Sequence, residues 1–234
     1  MPAALPFGGV DVWTGYEVSW LNPKGKPQVA VGEFVIPADT THLVESKSLK
    51  LYLNSMNGTH LESQEGVEAC IRRDLSRAAH GPVAVRLVGR AAFKATTEEL
   101  EGECIDDLDV TIDTYDVEPS FLSATGTRTT ETLRSDLLKS NCPVTGQPDW
   151  GSVMIRYTGP RLDRSGLLKY IISFRDHAGF HEQCVEQMFL DIASRCQPER
   201  LTVYARYTRR GGLDINPFRS NFEDSPPNRR TYRQ

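Results

Sequence analysis

The sequence predicts an α+β protein made of two successive modules, each with the element order β-β-α-α-β-β. In each half, short runs rich in β-branched residues come in pairs and are separated by two segments with helical spacing of apolar residues. The helices of the two halves also share a faint residue match. No GxGxxG motif follows a strand, so a doubly wound nucleotide-binding fold is not indicated. We therefore expect antiparallel sheets, each covered by two helices.

The first half supplies a strand that ends at a proline, two amphipathic helices and two further strands. The apolar residues of the helices recur at three- and four-residue intervals, which places them on one face. The predicted strands are Gln28–Pro37, a short extended run up to Val44, Val83–Gly89 and Asp107–Ile112, and the predicted helices are Ser46–Met56 and Gly66–Ala79.

The second half repeats this order. The predicted strands are Trp150–Gly159, Leu201–Thr208 and Ile215–Ser220, and the predicted helices are Ser165–Asp176 and His181–Cys196. At one constant offset Leu49, Tyr52 and Ser55 fall on Leu167, Tyr170 and Ser173, and a Val-Glu pair recurs in each second helix. A matching order of elements together with these identities favours a tandem duplication.

A segment rich in threonine and turn-forming residues, Thr114–Thr132, lies between the halves and is predicted to be a linker. We place the boundary near Pro119. The predicted domains are therefore residues 1–118 and residues 119–234.

Composition is that of an ordinary globular protein, with 39% hydrophobic and 25% charged residues in 234. The longest apolar runs are much shorter than the roughly 20 residues that cross a bilayer, and the N-terminus has neither a basic start nor an apolar stretch of signal-peptide length. The five cysteines show no paired spacing, which favours free thiols in a reducing compartment. We expect a cytoplasmic protein without a membrane span.

The net charge of −4 argues against general nucleic-acid binding, since a phosphate-binding surface usually carries an excess of Lys and Arg. The segment Arg206–Arg233 is the local exception, because it contains seven arginines. For Arg229–Arg233 a solvated tail is an equally open interpretation.

Cys142 is the candidate nucleophile. It lies in SNCPVTGQPDWG, where two prolines and a glycine exclude a regular helix, whereas Cys70, Cys184 and Cys196 have the pattern of small buried hydrophobes. A loop thiol can react once a base, a cation or a helix N-terminus helps it to lose its proton. Asp149 follows in the same segment, and its carboxyl could approach the thiol, although an ordinary turn acceptor is the open alternative.

His181 and Glu182 begin a predicted helix. An acid in the first turn also has a purely structural explanation in the helix dipole, and a surface imidazole is common. The spacing of His177, His181 and Cys184, at i, i+4 and i+7, would place two imidazoles and a thiolate on one helical face, which makes a metal site the alternative. The sequence shows no clear further set of ligands, so we expect no metal.

The segment ESKSLKLY, Glu45–Tyr52, places hydroxyls, backbone N–H groups and ammonium groups at a helix start. Such a start suits phosphate. An N-capped amphipathic helix is the alternative interpretation.

Taken together, these segments resemble the NADPH-dependent nitrile reductases of queuosine biosynthesis, the 7-cyano-7-deazaguanine reductase (QueF) family in its long, two-module form. ESKSLKLY is similar to the family's signature segment, SNCPVTGQPDWG to its catalytic loop, FHEQCVE to its substrate-binding helix start and YTRRGGLDINPFRS to its C-terminal strands. The resemblance covers nearly the whole chain. It implies tandem tunnelling-fold (T-fold) modules and a homodimer.

The resemblance also implies a reaction. Cys142 would attack the nitrile carbon of 7-cyano-7-deazaguanine (preQ0) to form a thioimide, Asp149 would supply a proton to nitrogen, and His181 would help to manage protons. Two NADPH would complete the reduction to 7-aminomethyl-7-deazaguanine (preQ1), a free base handled before any transfer to tRNA. The implied substrate-binding residues are Val44, Glu45, Ser46, His181 and Glu182, and the implied NADPH-binding residues are Ser46, Lys47, Arg210 and Gly211.

Two alternatives stay open. One is a metal-dependent hydrolase or cyclohydrolase of the same fold that uses His177, His181 and a cysteine as ligands. The other is a non-catalytic base- or RNA-binding module that uses the arginine-rich segment.

Overall fold

The computed structural model describes residues 4–89 and 97–234, which form an α+β protein. The α+β class is the one that the sequence predicts. Two single-turn 3-10 helices, Pro119–Phe121 and Phe174–Asp176, accompany the longer elements. In chain order these are β1 (Gly8–Leu21), β2 (Pro27–Pro37), α1 (Ser46–Ser55), α2 (Gln64–Ala79), β3 (Ala84–Gly89), β4 (Glu103–Cys104), β5 (Ala124–Asn141), β6 (Pro148–Leu162), α3 (Arg164–Ser173), α4 (His181–Cys196), β7 (Arg200–Tyr207) and β8 (Leu213–Ser220).

The chain divides into two compact units. The N-unit contains the described residues from Val10 to Gly89 and the segment Arg209–Ile215. The C-unit contains the described residues up to Gly9 and the segments Thr97–Thr208 and Asn216–Gln234. The predicted modules, residues 1–118 and 119–234, are the two copies of a proposed internal duplication. They remain a prediction.

In the N-unit, β1, β2 and β3 are neighbours in the order β3-β2-β1, and both pairings are antiparallel. Helix α1 buries Leu49 and Leu53, and α2 buries Val67, Ile71, Leu75 and Ala79 at four-residue spacing. These side chains form one apolar core with Trp13 and Phe34 from the strands. The spacing explains why periodicity alone located both helices.

In the C-unit, the strands follow the order β8-β7-β6-β5-β4, antiparallel except for the short parallel pairing of β4 with β5. Alternate residues of β6 and β7 pack against α3 and α4 in one apolar core. It includes Ile155 of β6, Val203 of β7, Leu168 of α3 and Met188 of α4. The helices therefore cover one face of the sheet. This packing also holds the ends of the strands that carry the candidate site.

Three sequence predictions were wrong. Residues 107–112 form no regular strand, and the nearby strand is β4, two residues long. The run before Val44 consists of turns and bends. The predicted linker overlaps β5, because threonine is a strong β-former and a threonine-rich run can form a paired strand as well as an irregular polar segment. Strand β1 was not predicted.

The β1–β2 and β5–β6 hairpins have the same internal register. Each is irregular at the same distance from its loop, between Gly15 and Val18 in the first and between Ser135 and Leu138 in the second. The second hairpin has a further irregularity between Ala124 and Arg128. At the loop end, Leu21 pairs with Pro27 and Trp20 with Gln28, while Asn141 pairs with Pro148 and Ser140 with Asp149.

The helix pairs also correspond. The Tyr52 hydroxyl donates to Asp74 at 2.8 Å, and the Tyr170 hydroxyl donates to Asp191 at 2.6 Å. Both second helices are 16 residues long and end at a residue with positive φ, His80 in one and Gln197 in the other. The two units are therefore built on one internal plan.

Candidate functional site

Cys142 is the first residue of the six-residue loop between β5 and β6. Its backbone N–H donates to the Gln147 carbonyl at 2.8 Å, and its own carbonyl accepts the Gly146 N–H at 2.9 Å. Gly146 has φ +67°, a conformation that favours glycine. The loop prediction for Cys142 is confirmed, and the partly buried thiol is held at the mouth of a rigid hairpin.

Asn141 ties this loop to the segment that precedes α4. Its N–H donates to the His177 carbonyl at 2.8 Å, and its carbonyl accepts the Gly179 N–H at 3.1 Å. Because α4 begins two residues after Gly179, these bonds fix the position of Cys142 relative to the start of that helix.

Asp149 lies on β6, directly opposite Ser140. Residues directly opposite each other in an antiparallel pair face the same side, so Ser140 and Asp149 lie on one face of the hairpin end, and the loop begins at Cys142, two residues after Ser140. Asp149 is 6% exposed. Its Oδ1 lies 3.8 Å from Nε2 of His181, which is longer than a hydrogen bond and within the range of an ion pair.

His181 and Glu182 form the first turn of α4. The His181 side chain is 13% exposed and Glu182 is 3% exposed. The side-chain carbonyl of Gln183 accepts the Phe180 N–H at 3.2 Å and closes the helix start. The structure thus brings an imidazole, two carboxyl groups and a thiol to one end of the C-unit.

Behind these groups lies a set of buried polar side chains, Ser140, Cys184 and Tyr207. Burial raises the pKa of Cys184 to about 11, and Glu182 and Asp149 contribute to the rise, while Ser140 and Tyr207 oppose it. Burial also raises the pKa of Tyr207 well above its ordinary value. Cys184 is therefore a neutral thiol at physiological pH, unlike a nucleophile. Cys184 and Cys196 are buried as the sequence predicts, and Cys70 is partly buried.

In the N-unit, Glu45 is the N-cap of α1. Its carboxylate accepts the N–H groups of Lys47 at 2.8 Å and Ser48 at 2.7 Å, and also the Ser48 hydroxyl at 2.8 Å. Burial would raise the pKa of Glu45, but the hydrogen bonds from Lys47 and Ser48 lower it below its ordinary value. Glu45 is therefore ionised and fixed in direction. Val44 and Ser46 beside it are partly buried, and Lys47 is exposed.

Arg210 and Gly211 belong to a tight turn in the N-unit. The N–H of Arg210 donates to the Leu213 carbonyl at 2.9 Å, across Gly211 with φ +62° and Gly212 with φ +81°. Two consecutive positive φ values are typical of a type I′ turn, which accounts for the Gly-Gly sequence. A Cβ on Gly211 would lie 3.4 Å from the Lys50 ammonium nitrogen. The turn and Lys50 border a surface cleft that Asn54 and Asn57 also line.

The alternative of a metal site required His177, His181 and Cys184 to share one helical face, and the structure does not have this arrangement. Helix α4 begins at His181, and His177 precedes it with an extended backbone, so His177 and His181 do not share a helical face. Within residues 4–89 and 97–234, no group of three or more His, Cys, Asp or Glu side chains could hold a metal ion. Over the same residues, no helix is both long and apolar enough to span a membrane.

The structure also indicates residues that sequence reasoning missed. Ser140 and Tyr207 lie beside the candidate catalytic residues but were absent from the candidate set. Ser140 could have been found because it precedes Cys142 by only two residues in the sequence. Tyr207 has no such signal, because it is one apolar position in an alternating strand and its role depends on a partner distant in sequence.

Comparisons with known proteins agree with the motifs. A family model described as nitrile reductase, 7-cyano-7-deazaguanine-reductase N-term, matches residues 1–87, and one described as QueF-like protein matches residues 148–226. The NADPH-dependent 7-cyano-7-deazaguanine reductase of Azoarcus sp. (strain BH72) is 61% identical over 224 residues, which is 94% of this chain and 79% of the relative. The enzyme of the same name from Chromobacterium violaceum is 59% identical, over 99% of this chain and 84% of the relative.

A solved structure of an archaeosine synthase QueF-like protein matches with a TM-score of 0.36 and 17% identity over 41% of this chain and 95% of its own. That likeness is too low to carry an argument. The sequence relatives are far closer, and both ends of the chain match the two family models. This chain belongs to the family of NADPH-dependent 7-cyano-7-deazaguanine reductases.

Proposed function

We propose that this chain reduces the nitrile of preQ0 to the aminomethyl group of preQ1 with two NADPH, as a step of queuosine biosynthesis. The observation that carries the proposal is the end of the β5–β6 hairpin, in a chain of this family: Asp149 pairs with Ser140 there, His181 lies 3.8 Å from Asp149, and the loop begins at Cys142.

Cys142 is the nucleophile. Its sulfur forms a bond to the nitrile carbon, one π bond of the nitrile opens, and the nitrogen takes up a proton to give a thioimide. The thiol proton leaves through Asp149, which then serves as the acid toward nitrogen. Asp149 suits both roles because it is nearly buried and lies at the end of the hairpin whose loop begins at Cys142.

His181 lies 3.8 Å from Asp149 through its Nε2 atom, close enough to influence the charge of the carboxyl group through both steps. Glu182 follows it in the same turn and is nearly fully buried. A carboxylate there accepts adjacent N–H donors of a guanine-like edge. Glu45, with Val44 and Ser46 beside it, is assigned the same task, and its cap bonds hold its carboxylate ready as an acceptor.

The residues of the N-unit turn fit a phosphate-bearing cofactor. Gly211 allows the backbone of the turn to lie close to the Lys50 side chain and its ammonium group, and the start of α1 adds Ser46 and Lys47. Arg210 supplies a guanidinium group suited to a 2′-phosphate. When bound, NADPH supplies hydride to carbon, and two equivalents are required because nitrile to amine is a four-electron change.

The finer fold assignment is part of the proposal. We assign the two halves as tandem T-fold modules, residues 1–118 and 119–234. The shared hairpin register and the paired Tyr–Asp hydrogen bonds in the two units support a duplication. A homodimer in the cytoplasm that acts on a free base, without direct nucleic-acid binding, completes the proposal.

Intact-protein mass spectrometry tests the proposed function. After mixing with preQ0 alone, the chain should gain the mass of the whole nitrile at Cys142, and NADPH should then discharge it as the amine. Cys142→Ala should gain nothing, while Cys104→Ala, which removes an exposed cysteine on β4, should still gain the full mass. Absence of an adduct together with no NADPH consumption would overturn the proposal.

A further inference from the structure

We infer that Tyr207 is a positioning residue, whose buried ring holds the His181 imidazole in place beside Asp149. The inference rests on the proposed function for its meaning in catalysis. The contact itself is a property of the folded chain and can be tested without substrate.

The ring of Tyr207 meets the His181 ring edge to face. Their centroids are 4.1 Å apart and the planes lie at 86°. Tyr207 is fully buried at the end of β7, so its ring has little freedom to move. A surface imidazole can rotate about two bonds, and one packed against a fixed ring is restricted in both.

The strand opposite makes room for this ring. Tyr207 pairs with Gly151 on β6, and a Cβ on Gly151 would lie 3.2 Å from the Tyr207 ring. Gly151 is two residues after Asp149, so the same strand carries the carboxyl group and the space for the ring. A side chain at residue 151 would press on the ring and, through it, on His181.

The buried hydroxyl groups around Tyr207 reduce the stability of the core, because burying a polar group without a good hydrogen bond costs free energy. Among the described residues, the hydroxyl oxygens of Tyr207 and Ser140 are buried without a hydrogen bond of ordinary geometry. Exceptions of this kind are rare and call for a reason. Asp149, Glu182 and Cys184 are the titratable groups that act electrostatically around this cluster.

The N-unit shows that the fold does not need these groups. Its hairpin has Trp20 at the position of Ser140, and the fourth residue of α2 is Val67 where α4 has Cys184. The pair Ala30 and Gly89 takes the place of Gly151 and Tyr207. The buried polar set is thus present in the unit that carries Cys142 and replaced in the other.

The residue at the helix start is placed alike in both units. Gln64 opens α2, and its Oε1 lies 3.5 Å from where a Cβ on Gly89 would be. The Gln64 side-chain amide donates to the Leu87 carbonyl at 2.8 Å, and this hydrogen bond holds the Gln64 side chain in place. In the C-unit the residue at this position is His181. Its side chain is held by contact with the Tyr207 ring, whereas Gln64 is held by a hydrogen bond.

The test compares Tyr207→Leu, which removes the ring, with Tyr207→Phe, which keeps it. We expect Tyr207→Leu to lower kcat by about 10- to 100-fold at nearly unchanged KM, as for a misplaced catalytic group. The pH profile should shift, and the NMR titration midpoint of His181 should move to lower pH as the imidazole leaves the carboxylate. Tyr207→Phe should restore the midpoint and most of the activity.

Tyr157→Leu is the matched control, since it removes an equally buried tyrosine from the far end of β6 in the same core. It should leave the His181 midpoint and the pH profile unchanged, whatever it does to stability. Gly151→Ala, which keeps the ring but displaces it, should move the midpoint as Tyr207→Leu does. An unmoved His181 midpoint in Tyr207→Leu overturns the inference. Because the titration needs no substrate, a missing reductase activity would count against the proposed function alone.

Discussion

At the scale of single residues, the two hairpin loops start at equivalent positions but differ in length and chemistry, with residues 22–26 in the first and 142–147 in the second. Asn22 occupies the position of Cys142, and in both loops the first residue donates to the carbonyl of the last and accepts the N–H of a glycine. The Asn22 side chain accepts the N–H groups of Lys24 and Lys26, both at 3.0 Å, and so serves loop closure. A thiol is a weak acceptor and contributes little of that kind. The proposed role of Cys142 as a nucleophile would account for a thiol at this position.

Asp149→Asn keeps the size of the side chain and removes its acid function. We expect kcat to fall by about 10²- to 10⁴-fold, the usual contribution of general acid-base catalysis, with KM for preQ0 little changed. The Cys142 adduct should also form more slowly in stopped mass-spectrometric time points. Asp107→Asn, at an exposed carboxyl, is the control and should behave as the unaltered chain does. Full turnover in Asp149→Asn would remove the proposed acid.

Gly211→Ala tests the cofactor turn. The Cβ would lie 3.2 Å from the Lys50 side chain at φ +62°, so both the space and the backbone oppose it. We expect KM for NADPH to rise about tenfold, equivalent to about 1.4 kcal/mol of binding, while adduct formation with preQ0 alone is unchanged. Gly25→Ala, at φ +75° in the β1–β2 loop, carries similar backbone strain and should leave KM for NADPH unaltered.

At the scale of elements, the helices could be predicted closely and several strands could not. Helix α4 has the predicted bounds, because apolar spacing and a following αL residue are local signals. Strand β5 was missed over its whole length, and β4 is two residues long, because such strands exist through pairing with partners elsewhere in the chain.

The same limit applied to the candidate site. Cys142, Asp149 and the pair at the α4 start were chosen from motifs, but their proximity comes from the register of β5 on β6 and the bonds of Asn141. Neither is visible in a local sequence window. Tyr207 was missed for this reason.

A comparison of the N-cap residues of α1 and α3 can separate the structural contribution of Glu45 from its proposed role in substrate binding. Glu45 caps α1, and Asp163 caps α3 by accepting the N–H groups of Ser165 and Gly166, both at 3.2 Å. Replacing either by Ala should cost about 0.5–2 kcal/mol in urea unfolding. Only Glu45→Ala should also weaken preQ0 binding, measured by calorimetry with the Cys142→Ala chain. Equal losses of binding in both variants would return Glu45 to a purely structural role.

The Glu45 contribution should depend on pH. Because its folded-state pKa is depressed, the cap stabilises the fold fully at pH values above the ordinary carboxyl pKa and is lost as pH falls through the folded value. The difference in unfolding free energy between the unaltered chain and Glu45→Ala should therefore persist at neutral pH and shrink in acid. A difference that is constant down to acid pH would show that the carboxylate charge is not involved.

At the scale of the whole molecule, the two units share a plan and differ in what they carry. The N-unit has Asn22, Gln28 and Gln64 at the positions of Cys142, Asp149 and His181. The C-unit has Asp163 at the cap position held by Glu45. Each unit therefore retains one set of candidate groups, and the chain should form one covalent adduct.

Asn22→Cys placed in the Cys142→Ala chain tests this division. The new thiol would occupy the same loop position, but Gln28 offers no proton and Gln64 no titratable ring, so we expect no preQ0 adduct and no NADPH consumption. A thiol reagent such as an aromatic disulfide should still label it, which would show that access is not the obstacle. An adduct at residue 22 would mean that the backbone position alone activates a cysteine, and the roles proposed for Asp149 and His181 would then have to be abandoned.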